Sequence, residues 1–134
     1  MTGYDKVAHL QMIQGVISRL AANSFQFKAW CIAIVSALVA TAWAIENSNL
    51  CLLASAPVLS FLWLDARYLR DERRFRKLYS LVAEEKVEMD YDMNPSLVDS
   101  TKSTIDSAVF SPVVLGFYGP VLMMLGCLFL LAPY

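Results

Sequence analysis

Three uncharged, strongly apolar stretches divide this chain of 134 residues, and its eleven Lys and Arg residues are confined to two of the four segments that flank them. Lys6, Arg19 and Lys28 precede the first stretch, and the other eight, Arg67 to Lys102, lie between the second and the third. None occurs in Glu46–Asn49, which separates the first two stretches, and none follows Ala108. Carrying Lys and Arg across a bilayer is costly, so loops rich in them stay in the cytoplasm. The pattern predicts three transmembrane passages, with the amino terminus inside and the carboxyl terminus in the periplasm or outside the cell.

Composition agrees. The chain is 57% hydrophobic and 17% charged, and a soluble domain of this size has too little interior to hide so much apolar surface. A net charge of −1 says little, but its distribution is uneven. Asp65–Lys77 carries six basic and three acidic residues, whereas Glu84–Asp92 carries five acids and one Lys. Cys31, Cys51 and Cys127 each lie in an apolar stretch without paired spacing, which argues against a disulfide framework or a zinc site. Ala42-Trp43-Ala44 has the small-x-small look of a signal cleavage site. The hydrophobic run begins only near residue 29, after a long patterned segment, so an uncleaved first passage is expected.

The expected fold is all-α, a single helical membrane domain with cytoplasmic amphipathic extensions. Residues 4–28 read as an amphipathic helix, with Leu10, Ile13, Ile17, Leu20 and Ser24 on one face and Lys6, His9, Gln11, Gln14 and Arg19 opposite. The first passage is 29–45, about 25 Å as a helix, with Trp30 and Trp43 near its ends as interfacial aromatics. A polar turn at Glu46–Asn49 sends the chain back. The second passage is 50–64, bent at Pro57, and its helix continues in the cytoplasm to about residue 88. Arg67 with Asp71, and Glu72 with Arg76, are spaced to pair on the exposed side. A linker at 89–94 leads to a short helix at 95–107, opened by Asn94-Pro95 as N-cap and first-turn proline. The third passage is 108–132. The uncharged run to Tyr134 would be about 40 Å long as one helix, so tilt, a kink at Pro112 or Pro120, or a frayed end must absorb the excess.

Small residues recur inside these stretches. Ala29, Ala33 and Ala37 form one row, Ser36, Ala40 and Ala44 a second, and Gly116, Gly119 and Gly126 a third strip. Helices in lipid associate where small residues let backbones approach, so these positions are expected to mediate helix packing, within the chain or between copies in a homo-oligomer. Lys28 and Asp65 bracket the first helix pair at one depth, either as an interfacial salt bridge or as two separate markers of the hydrocarbon boundary. Exchange of the two charges should retain folding if they pair.

Arg67, Arg70, Arg73, Arg74, Arg76 and Lys77 are a candidate surface for anionic lipid or another anionic ligand. A solvated helix face that sets topology is the plainer reading, lipid contact comes second, and a nucleotide or nucleic acid stacking on Tyr68, Phe75 and Tyr79 comes last. Asp90, Asp92 and Asn94 imitate the opening of a calcium loop, but Pro95 and Thr101 stand where that loop needs Gly and Glu. No metal or cofactor site is expected. His9, the one histidine, reads as solvated. No nucleophile stands beside a base and no ionisable residue lies deep in an apolar stretch, which argues against an enzyme and against a proton-coupled transporter. A pore formed by assembly would have only Ser36, Thr41, Ser55, Ser60 and Tyr118 to line it.

Two segments carry a resemblance. They are Ile13-Gln14-Gly15-Val16-Ile17-Ser18-Arg19 leading into Asn23-Ser24-Phe25 and Lys28-Ala29-Trp30, and the run from Leu64-Asp65-Ala66-Arg67-Tyr68 through Arg76-Lys77-Leu78-Tyr79. Together they resemble a group of small, mostly uncharacterised bacterial inner-membrane proteins, some of which accompany anti-phage defence genes. The resemblance covers roughly the first 85 residues and leaves the third stretch out. It implies a bacterial inner-membrane location and a role as a membrane-acting defence effector, such as a pore, or as an accessory subunit that anchors a cytoplasmic protein partner. It supplies no functional residues.

Overall fold

A 42-residue helix, α1 (Gly3–Ala44), runs unbroken through both the amphipathic segment and the first apolar stretch. No proline or helix-stopping glycine separates the two, so the hydrogen-bond ladder continues for about 63 Å. The computed structural model describes residues 3–84, 93–94 and 104–131, and within these every regular element is a helix. After α1 come α2 (Asn49–Leu53), α3 (Ser55–Ala83), α4 (Ile105–Val109) and α5 (Pro112–Leu131). Three rods are long and apolar enough to cross a membrane: α1, the α2–α3 unit, and α5. That is compatible with a multi-pass membrane protein. Asp90 and Asp92 of the calcium-loop imitation, residues 89–92 of the expected linker and residues 95–103 of the helix expected at 95–107 lie outside the described residues.

The turn after α1 closes with a left-handed residue. Glu46 has φ 52°, its N–H donates to the Trp43 carbonyl at 3.4 Å, and the Asn47 N–H donates to that of Ala42 at 3.0 Å. This pair of bonds is a Schellman motif, which satisfies carbonyls that the helix end would otherwise strand. Asn47 Oδ1 then accepts the Asn49 N–H at 3.1 Å, tightening the reversal.

The bend expected at Pro57 falls one turn earlier. Proline at position 57 has no N–H for the Leu53 carbonyl, and its ring crowds that carbonyl. The helix therefore breaks at Ala54 and restarts at Ser55, which puts Pro57 in a first turn where a missing donor does no harm. The Ser55 hydroxyl donates to the Leu52 carbonyl at 2.6 Å, bridging the break.

The third apolar stretch is not one helix from 108. α4 ends at Val109, and α5 begins at Pro112 with Ser111 ahead of it. Ser111 is buried, and its carbonyl accepts the Val114 and Leu115 N–H groups at 3.1 and 2.9 Å. Ser-Pro is an N-cap followed by first-turn proline, so Pro112 starts a helix where the sequence reading has a kink. The twenty residues of α5 span about 30 Å, which removes the excess length. Pro120 sits inside α5 without ending it.

Packing divides into two clusters. One joins Cys31 and Val35 of α1, Ala54, Val58 of α3, and Val114, Tyr118 and Leu125 of α5. The second joins Ile13 and Ile17 of α1 to Leu78 and Val82 of α3, with Met93 packed against it. The α1 and α3 rods thus lie antiparallel along both their apolar and their polar halves. His9 is a correction: it is 2% exposed, one helical turn before Ile13 on the contact face. The contact face keeps Ile13 and Ile17 of the expected stripe, with Leu10 packed against the same cluster, and adds His9.

Candidate functional site

Between the two clusters the helices carry their only deeply buried carboxylate among the described residues. Asp65 of α3 is 1% exposed, and Lys28 of α1 places Nζ 2.5 Å from its Oδ2. The Ser24 hydroxyl, one turn before Lys28, donates to Asp65 Oδ1. Lys28 Nζ also donates to Ser24 Oγ at 3.0 Å, closing a triangle of three side chains. A carboxylate taken from water needs such bonds, because its desolvation is otherwise uncompensated.

Aromatic rings surround this triangle. Lys28 Nζ lies 5.9 Å from the centre of the Phe117 ring of α5. Phe27 packs edge-on against Tyr68 of α3 at 5.0 Å. Tyr118 is fully buried, and its hydroxyl stands close to the Asp65 carboxylate. The node therefore touches α1, α3 and α5 at once. Sequence spacing names Lys28 and Asp65. Ser24 is legible only as a member of the apolar stripe, and Tyr118 only as a pore-lining hydroxyl, a role its burial within one chain excludes.

The basic block is largely engaged inside the chain. Arg70 binds Asp71 at 3.0 Å, which takes the partner expected for Arg67. Arg76 binds Glu72 at 2.7 Å, as its i, i+4 spacing allows. Arg73 reaches across to the α4–α5 elbow, donating to the Ser107 carbonyl at 3.4 Å and to Ser111 Oγ at 3.0 Å. Arg74 is half-buried. Arg67 instead lies over the Trp63 ring, 5.7 Å from its centre, and Lys77 is exposed. The six cations thus do not form one surface.

The small residues face outward. Ala29, Ala33, Ser36, Ala37, Ala40 and Ala44 are all exposed on α1, whose inner face uses Cys31, Val35 and Ala42. A Cβ built on Gly116, Gly119 or Gly126 meets nothing within 4 Å. Gly126 borders an open apolar groove between α2 and α5 that Cys51, Ser55 and Leu122 also line. Among the described residues no group of His, Cys, Asp and Glu is arranged to hold a metal. Compared with known protein families, curated proteins and solved structures, the chain matches none.

Proposed function

We propose that this chain is a bacterial inner-membrane protein, amino terminus in the cytosol, whose copies associate in the bilayer and compromise it when the cytoplasmic helices are engaged. The observation that carries this reading is the outward placement of both small-residue rows of α1. Among the described residues they are left exposed, and small residues are the surfaces on which helices in lipid approach one another. The unbroken α1 and α3 rods support a coupling role for the cytoplasmic ends, since displacement there has no hinge in which to dissipate. A part in antiviral defence rests on the family resemblance alone.

One observation favours a second reading, a non-conducting anchor for a cytoplasmic partner. The hydroxyls of Thr41 and Ser60 each donate to a backbone carbonyl one turn back, at 2.8 and 2.9 Å. Hydroxyls so engaged have no proton left to solvate an anion.

Reconstitution separates the two. Purified protein in dye-loaded vesicles should release dye once its cytoplasmic helices are engaged by an antibody to an amino-terminal tag, and Ala33→Leu with Ala37→Leu should reduce both release and the oligomer trapped by cross-linking while helix content stays unchanged. Sealed vesicles, or a monomer in both detergent and bilayer, would overturn the assembly reading; sealed vesicles together with a stoichiometric co-purifying protein would establish the anchor.

A further inference from the structure

We infer that Trp63 and Arg67 form a binding site for an anionic phospholipid, with the Arg67 guanidinium meeting its phosphate. In sequence Arg67 is one of six equivalent cations. In the structure Arg70, Arg73 and Arg76 each hold a partner within the chain, and Arg74 is half-buried and also engaged. Arg67 and Lys77 are exposed, and neither has an anionic partner among the described residues. They differ in what lies beside them. Leu59, Trp63 and Arg67 are spaced by four on one face of α3, and all three are exposed. Trp63 is 49% exposed with the guanidinium carbon 5.7 Å from its ring centre.

This order along the helix is the order a lipid imposes. Acyl chains meet Leu59, the indole sits at the boundary where amphipathic rings collect, and the guanidinium reaches the phosphate layer about 6 Å beyond the indole. Stacking on the ring holds the guanidinium while leaving its N–H fork available for two phosphate oxygens. Asp65, two residues earlier, is closed off by Ser24 and Lys28, so it does not compete for Arg67. Lys77 lies about 15 Å beyond Arg67, past a headgroup layer only about 5–8 Å deep on each side. The apolar approach through Leu59 and Trp63 selects a lipid over free phosphate.

The site rests on the membrane placement proposed above and not on leakage. Its test is lipid binding to the full chain in detergent, followed by native mass spectrometry with phosphatidylglycerol and with phosphatidylcholine. Wild type should prefer phosphatidylglycerol, and Arg67→Gln should weaken that lipid about fivefold, the worth of one interfacial cation, while leaving phosphatidylcholine unchanged. Arg67→Lys should fall between the two, Trp63→Ala should weaken both lipids, and Lys77→Gln should change neither. Excess inorganic phosphate should leave the lipid bound. Wild-type binding by Arg67→Gln, equal losses in Lys77→Gln, or displacement by inorganic phosphate would each overturn the site. Failure of the protein to float with vesicles would overturn the membrane placement as well, whereas flotation without an Arg67 effect would overturn this inference alone.

Discussion

Lys28 and Asp65, thirty-seven positions apart, meet with Nζ 2.5 Å from Oδ2, and the two differ in burial, at 19% and 1% exposure. The lysine keeps an edge toward the surroundings while the carboxylate is enclosed by α1, α3 and α5. An arrangement of this kind does more to set which helices meet, and at what register, than to add net stability.

Removing either partner alone strands the other. Lys28→Met and Asp65→Leu should each lower unfolding stability in detergent by about 3–5 kcal/mol, and the double variant should recover most of the loss. A double-mutant cycle by thermal or denaturant unfolding measures this; additive losses would mean that the pair is not coupled. Because Asp65 is enclosed, a lysine there would have no room, so the apolar double variant is a better probe than exchanging the charges.

Glu46 occupies a left-handed position that glycine adopts without strain. Glu46→Gly should stabilise the protein by about 1 kcal/mol, visible as a higher unfolding temperature with unchanged helix content. No change would show that the strain is relieved elsewhere in the turn.

Arg73 ties α3 to the start of α5 through Ser107 and Ser111. Arg73→Gln should cost about 1.5–3 kcal/mol, the range for hydrogen bonds to a charged group, and should speed amide exchange from Thr104 to Leu115. Arg76→Gln, which removes only an exposed i, i+4 pair, should cost under about 0.5 kcal/mol. Equal effects from the two would remove the distinction drawn between them.

The polar half of the α1–α3 pair depends on four enclosed aliphatic residues. Ile13→Ala or Leu78→Ala should cost about 2–5 kcal/mol and release the polar ends first. Phe25→Ala, at a ring that is mostly exposed, should change detergent stability little. Hydrogen exchange resolved along α1 gives the comparison.

Much of the architecture is legible from local quantities. Long uncharged runs mark the three apolar rods, the gap at Glu46–Asn49 marks the reversal, and the lack of a breaker between Phe27 and Ala29 lets one helix run through both halves of α1. Ser111-Pro112 was equally legible as a helix start, carrying the same N-cap and proline signal as Asn94-Pro95. The signal is masked because it stands inside an apolar run, where a proline reads first as a kink.

The sequence by itself determined the number and polarity of the apolar rods, since charge desolvation and helical period act over a few neighbouring residues. The tertiary structure alone decided which face of each helix turns inward. That choice buries His9, draws Ser24 and Tyr118 to the Lys28–Asp65 pair, turns the alanine rows outward, and leaves Arg67 on Trp63 while its neighbours find partners. Each outcome depends on the rotation of one helix about its axis relative to another. A rotation by one residue preserves every local pattern and changes every partner.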